Sequence, residues 1–371
     1  MNESLPNQRM LPPECVVYNT LGAPPPSSAT ELKTLLIFIA VISIVTFPFT
    51  AALNALVITA VKTKSRLRAI KSNILLACLA TTDLMVGVIV QPMFIASVII
   101  TVQGKITTES CVLQTITQNI ITVLCDTSLI HLVLISGERY LAMKHTFSYN
   151  TALITEARLV TCSSLTWLFS PVLHASLVTG TDKTVFFLTK NVFIVLCVTF
   201  IILCQIIVYR EVRRHEQQLS TQQVTEEARQ KILKDKKAFK LTAIIVLLLF
   251  ICYIPLCVFR VILTKFSRSM SVQTAYACFF AAIWLVILNS FLNPIVYSVR
   301  MRQFRVAFIE LTCRTTNITE ARQIQMRVCG SHNAVGQAGQ RCEGAQQNTE
   351  QGNVNRQLNC TNERNATNRN S

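Results

Sequence analysis

Charge is scarce in this chain. Only 15% of its 371 residues are Asp, Glu, Lys or Arg, against about 25% in an ordinary soluble domain. Hydrophobic residues make up 51% and the mean hydropathy is +0.44, which argues against a cytosolic enzyme and against a disordered chain. Acids are scarcer still, 19 against 35 bases, for a net charge of +16. Such an excess serves nucleic acid only where basic side chains share a water-soluble face. Here they sit between long apolar runs, so a membrane is the expected partner and nucleic acid is not. Residues 1–33 are polar and Pro-rich with no early apolar run, so no signal peptide is expected there. Cysteine is not scarce, at 14, but most of it lies inside apolar runs, where it behaves as a small hydrophobe rather than a disulfide framework.

A bilayer core needs about 20 apolar residues as helix. Between Lys33 and Lys62 there are 28 residues without a charge. Only Asp83 is charged between Lys71 and Lys105, and only Asp126 between Glu109 and Glu138. Residues 159–181, 191–209, 241–259 and 269–299 carry no charge, which brings the candidate spans to seven. Backbone amides in lipid need partners within their own segment, so these are expected helices; a membrane barrel would show alternating segments of about ten residues instead. Lys62, Lys64, Arg66, Arg68 and Lys71 crowd the first connection, and nine bases crowd residues 210–240, read as a loop. The alternate connections hold only Lys105, Lys183, Lys190, Lys265 and Arg268. The positive-inside rule therefore places the N-terminus outside and the C-terminus in the cytoplasm.

After the last span, Phe304, Ala307, Phe308 and Leu311 share one face of a segment flanked by Arg300, Arg302 and Arg305, the pattern of an amphipathic helix on the inner membrane surface. Cys313 follows as a candidate palmitoylation site. Asn and Gln account for 18 of the 55 residues from 317 onward, the composition of a disordered tail. The expected organisation is an outer segment (1–33), an all-α seven-transmembrane-helix bundle (34–299), a juxtamembrane amphipathic helix (300–312) and a cytoplasmic tail (313–371). No internal repeat is visible, which weighs against a transporter.

Ionisable groups inside a span are costly and tend to mark function. Asp83 lies mid-span in the second helix. Asn289, Ser290 and Asn293 lie in the seventh, and Ser128 lies in the third, 11 residues before Arg139. Oxygen-bearing side chains from three helices can meet in one buried pocket, which holds either a small hard cation or water alone. Asp126 points about 200° away from Ser128, so it and His174 of the fourth span are expected in hydrogen bonds between helices rather than in contact with a ligand.

Glu138-Arg139-Tyr140 at the end of the third span resembles the Asp/Glu-Arg-Tyr motif of rhodopsin-like (class A) G protein-coupled receptors. Asn293-Pro294-Ile295-Val296-Tyr297 is similar to that family's Asn-Pro-x-x-Tyr. Asn54, Asp83, Trp167, Tyr209 and Pro255 stand at the family's anchor places in the first, second, fourth, fifth and sixth spans, so the resemblance covers roughly residues 34–312. It implies a plasma-membrane receptor that catalyses no covalent step and passes an extracellular signal to a heterotrimeric G protein by outward movement of the sixth helix. Arrestin, a receptor kinase and membrane lipid are further partners it implies. In such receptors Arg139 is held at rest by Glu138 and by an acid at the foot of the sixth helix, here Asp235, and on activation Tyr209 and Tyr297 close on it. An allosteric sodium ion among Asp83, Ser128, Asn289, Ser290 and Asn293, favouring the resting state, is implied in the same way. A transporter or channel is the alternative reading; it would need a continuous polar path, and this polar set stops at mid-membrane.

The chain departs from the family pattern at several places. Tyr253, two residues before Pro255, replaces the usual tryptophan switch, and Leu129, Ile201 and Leu249 fill the family's packing trigger. The loop at 180–190 lacks the cysteine that family members pair with the third helix, which leaves Cys111 free or bonded to Cys15 or Cys278. Asn2 begins the one glycosylation sequon on the outer side; those at Asn317, Asn359 and Asn365 fall inside. The resemblance places the ligand pocket among Gln118, Ile121, Thr122 and Cys125 of the third helix, Tyr253, Leu256, Cys257 and Arg260 of the sixth, and Tyr276, Phe280, Trp284 and Ile287 of the seventh. Arg260 is its only permanent charge in this reading, placed either to bind a carboxylate or phosphate or to reach the outer headgroups. Ile121 stands where amine receptors carry an aspartate, and Ile287 stands where opsins carry the retinal-binding lysine, so neither an amine nor retinal is expected. The ligand class stays open among small molecules, lipids and peptides.

Overall fold

The computed structural model of the chain describes residues 30–104, 107–144, 154–180, 183–221, 226–266 and 270–312. They are helical almost throughout, and no strand occurs among them. We number the helices α1 (Thr30–Thr63), α2 (Lys71–Gln103), α3 (Thr108–Lys144), α4 (Glu156–Gly180), α5 (Lys183–Thr221), α6 (Glu226–Phe266), α7 (Val272–Arg300) and α8 (Arg302–Thr312). The chain divides into two compact units, residues 1–304 and 305–371, and α1 to α7 belong entirely to the first. Asn2, Cys15 and Cys313 lie outside the described residues.

The first unit is apolar outside and partly polar within, the inverse of a soluble protein. On α1, Ile37, Phe38, Val41, Ile44 and Val45 are exposed, while Ser43, Thr50 and Asn54 are buried. The spacing of the exposed set is that of one helix face, on a helix long and apolar enough to cross a bilayer. Neighbours pack in a ring, α1 on α2 and α7, α3 on α2, α4 and α5, and α6 on α5 and α7. Six helices carry an apolar stretch long enough to cross a bilayer. The remaining one, α4, carries Ser163, Thr166, Ser170 and His174 on a buried face. Two of them reach α3: Ser163 Oγ lies 2.8 Å from His131 Nε2, and His174 Nε2 lies 3.4 Å from Asn119 Oδ1, while Thr166 Oγ1 donates to the Cys162 carbonyl of its own helix.

Pro48, Pro171, Pro255 and Pro294 stand inside helices, where membrane bundles tolerate the lost hydrogen bond. In α2 a π-helical turn, Val86–Val90, precedes Pro92. Gly87 lies in that turn, where a Cβ would stand 3.0 Å from the Ala51 backbone nitrogen of α1, so a larger residue would press α1 and α2 apart by a few tenths of an ångström. Gly104 closes α2 at φ 68°, a left-handed cap.

Two expectations about connections need correction. Residues 210–240 are not a long loop: α5 runs on to Thr221 and α6 begins at Glu226. Arg, Glu, Gln and Lys are good helix formers, so these helices continue past the apolar layer. Likewise 180–190 is mostly the first two turns of α5, and Lys190 is a buried helix residue rather than a loop base.

Candidate functional site

Three layers of α1–α7 hold the residues singled out above. The middle layer centres on Asp83, whose side chain is fully buried. Asn293 Nδ2 donates to Asp83 Oδ2 at 2.8 Å, and the Ser290 side chain bonds the same carboxylate. Asn54 Nδ2 donates to the Ser290 carbonyl at 3.0 Å and to the Thr50 carbonyl at 2.9 Å, joining α1 to α7. Ser128 and Ser290 line one narrow crevice with Tyr253 and Cys125. Asp83 Oδ1, Asn289 Oδ1 and Asn293 Oδ1 are buried without a hydrogen-bond donor. An unsatisfied buried oxygen is costly, and a carboxylate oxygen with two amide oxygens of α7 forms a donor set that fits a small hard cation, which prefers oxygen ligands. The residues present therefore suit sodium.

The second layer lies where α3 ends. Arg139 Nε and Nη2 donate to the two carboxylate oxygens of Glu138, both at 2.6 Å, a charge-assisted fork. The Glu138 side chain is 1% exposed and that of Arg139 13%, so this pair is largely out of water. Asp235 is half-buried on α6. Tyr209 packs its ring 6.0 Å from Phe239 of α6, and Tyr297 is fully buried with its hydroxyl unpartnered. A further tie between α5 and α6, Lys236 with Glu216, was not anticipated; the reading of 210–240 as a loop concealed it.

The third layer is the expected ligand pocket. Ile121, Cys125, Tyr253 and Ile287 line the crevice that reaches Ser128 and Ser290. Gln118, Ile121 and Phe280 line a second one with Phe94, Ser97, Gln114, Thr117, Phe279 and Ile283. Both crevices are at the scale of a water molecule. The Tyr253 hydroxyl and the Cys125 thiol hydrogen-bond each other across α6 and α3. Thr122 Oγ1 bonds the Gln118 carbonyl of its own helix. Leu256, Tyr276 and Trp284 sit in the hydrophobic core rather than in either crevice, with Tyr276 stacked on Phe280 at 6.4 Å. Leu129, Ile201 and Leu249 are all buried.

Arg260 is not alone here. Lys190 of α5 and Asp126 of α3 form an ion pair with both side chains buried. Asp126 is thus in a buried contact between helices, as its place on α3 implies. The missed partner had a signal: an acid inside a span needs a base at similar depth, and Lys190 borders the charge-free run 191–209. Cys111 is disulfide-bonded. Cys278 is free, so it is not the partner, which lies outside the described residues.

The model of the 7 transmembrane receptor (rhodopsin family) matches residues 53–186 and 176–297. The chain belongs to this family. It is 26% identical over 299 residues to the adenosine receptor A2b of Gallus gallus, covering 71% of this chain and 85% of that one. It is 28% identical over 309 residues to the histamine H2 receptor of Cavia porcellus, covering 78% and 83%. A shorter match, 31% over 84 residues, to the histamine H4 receptor of Mus musculus covers 23% of this chain and 21% of that one. The protein is accordingly a rhodopsin-like receptor and a multi-pass protein of the plasma membrane.

Proposed function

We propose that the protein binds an extracellular ligand among α3, α5, α6 and α7 and answers it by driving nucleotide exchange on a heterotrimeric G protein. The observation that carries this reading is the Arg139–Glu138 fork, a cation held in a nearly dry pair at the end of α3. A resting equilibrium keeps that fork closed, and a ligand that favours an outward α6 opens it. The residues do no covalent chemistry. Arg139 presents a fork of donors to the G protein, Tyr209 and Tyr297 are placed to close on it, and Tyr253 above Pro255 relays the ligand signal through its bond to Cys125. The N-terminus lies outside and the tail inside, where α8 rests on the inner lipid surface and Cys313 carries a palmitoyl chain. Arrestin and a receptor kinase act on the same inner side, and Asn2 carries the outer glycan. Cys15 is the Cys111 partner in this reading. Purified receptor in lipid nanodiscs, mixed with each G-protein class and a guanine nucleotide analogue, tests the proposal; a receptor that accelerates exchange on none of them overturns it.

The ligand is not an amine in this reading, despite the names of the histamine relatives. Ile121 is apolar, and Asp126, the acid that α3 offers near the pocket, is engaged by Lys190.

Two further results are expected. Asp235→Ala should raise ligand-free exchange, because Asp235 helps hold Arg139 at rest. Asp235 itself is only half-buried, so the gain should correspond to about 1 kcal/mol or less; unchanged basal exchange at matched expression removes the lock.

Asp83, Ser128, Asn289, Ser290 and Asn293 would hold a sodium ion, which supplies the counter-charge for Asp83. Sodium should then raise the melting temperature of the purified receptor more than an equal concentration of N-methyl-D-glucamine does. At a hundred times its Kd the ion adds about 2.7 kcal/mol. Asp83→Asn keeps the shape, removes the charge and should erase the difference. If the two cations act alike on the wild type, the cluster is a water network.

A further inference from the structure

A buried ion pair and a half-exposed arginine stand near one another in the upper bundle. Lys190 and Asp126 pair in the dry interior between α5 and α3, with Lys190 only 2% exposed. An ammonium has three N–H donors. Among the described residues Asp126 is its one acceptor, so two donors on a buried cation have none. Arg260 adds a second cation. Exposed Ile254, Val258, Val261 and Ile262 mark the lipid face of α6. Tyr253, Leu256 and Cys257 lie on the other face, and Arg260, three to seven residues after them, shares it. Its field reaches Asp126, Cys125, Cys257 and His174. No hydrogen bond or ion pair engages its guanidinium among the described residues. Cys125, which the charge of Arg260 reaches and which adjoins Asp126 in sequence, lines the crevice that also holds Ile121, Tyr253 and Ile287; Arg260 and Lys190 do not themselves line it. Among the described Asp, Glu, Lys and Arg side chains here, one acid faces two bases, a surplus of one positive charge. The deeper Asp83 already accepts from Asn293 and Ser290.

We infer that the ligand is a carboxylic acid: a monoanion whose carboxylate bonds Arg260 and the free donors of Lys190, with an apolar body against Ile121, Phe280 and Ile287. This rests on the receptor reading above. A single surplus charge matches a carboxylate rather than a phosphate monoester, which carries up to two charges at neutral pH. Guanidinium matches it geometrically, since its planar fork takes both oxygens at once. Asp126 is then a built-in competitor, a carboxylate of the protein that holds Lys190 until the ligand's carboxylate shares it.

The test uses purified full-length receptor in nanodiscs. Octanoate, phenylacetate and indole-3-acetate are each titrated beside their primary amides, with octyl phosphate as a further arm, by calorimetry and by melting temperature. At least one acid should bind, at least roughly tenfold more tightly than its amide. Arg260→Gln should weaken it roughly 10- to 100-fold, and Arg260→Lys by less. Asp126→Asn should tighten it, because the internal competitor is gone; a merely structural pair gives the opposite sign. Arg260 is half-exposed near the end of α6 and has no ion-pair partner among the described residues, so its variants should fold even where Asp126→Asn does not.

The inference is overturned if no acid binds, if amides match their acids, if octyl phosphate binds more tightly than octanoate, or if Arg260→Gln leaves affinity unchanged. Nucleotide exchange is read separately. Acid binding with no exchange on any G-protein class upholds the ligand class and removes the signalling reading. Exchange driven equally by the amides removes the ligand class and leaves the signalling reading standing.

Discussion

Arg139→Ala is expected to retain surface expression and ligand binding and to lose nucleotide exchange. The guanidinium makes two 2.6 Å bonds to Glu138 at the end of α3, far from the crevices that the ligand is proposed to occupy. Charge-assisted hydrogen bonds contribute about 1.5–3 kcal/mol each. If Arg139 gives up this fork to form a similar one with the G protein, deletion slows exchange by roughly 10- to 100-fold or more. Arg139→Lys separates charge from shape. Lysine keeps the positive charge near Glu138, so the fold should tolerate it, but it lacks the planar fork and should restore only part of the exchange. Cell-surface labelling, ligand binding and nucleotide uptake on the same preparations check both variants. Full exchange in Arg139→Ala would remove the coupling role assigned to this residue.

Long charge-free runs made the helices legible in the sequence, because lipid leaves a backbone no alternative to helix. Their ends were less legible. Charge marks where the apolar layer stops, not where the helix stops, so α5 and α6 extend well beyond their apolar cores. The π-helical turn at Val86–Val90 was not legible, since its apolar residues suit an ordinary α-helix equally well. Within the candidate site, Asp83, Ser290 and Asn293 were legible because polar side chains are conspicuous in apolar runs, and the structure bonds these three together. Lys190 was not. A base at the edge of a run reads equally as a loop residue or as the first turns of a span, and only its pairing with Asp126 distinguishes them. The aromatic packing of Tyr276 was also hidden: a tyrosine near the outer end of a span looks like a pocket residue, yet its ring is stacked on Phe280 in the core.

The pairing of Asp126 with Lys190 carries the largest expected effect on stability. Both side chains are almost fully buried, 6% and 3% exposed, so neither charge can turn to water when its partner is removed. Deleting one member of such a pair typically destabilises by about 3–5 kcal/mol, because a buried charge is left uncompensated. Lys190→Met alone should therefore lower the melting temperature of the receptor sharply, and Asp126→Leu alone should do the same. Replacing both removes the desolvation of two ions together with their attraction. The double variant Asp126→Leu, Lys190→Met should recover most of the loss and equal or exceed the wild type in stability. The double-mutant cycle isolates the coupling, which should be several kcal/mol, far above the 0.3–0.5 kcal/mol or so expected of independent sites. Additive effects of the two single changes would mean that the pair does not join α3 to α5 in the membrane. A coupled but stable double variant would instead leave the pair with a task other than stability: keeping a cation in the dry interior beside Arg260, at the site where the ligand is proposed to bind.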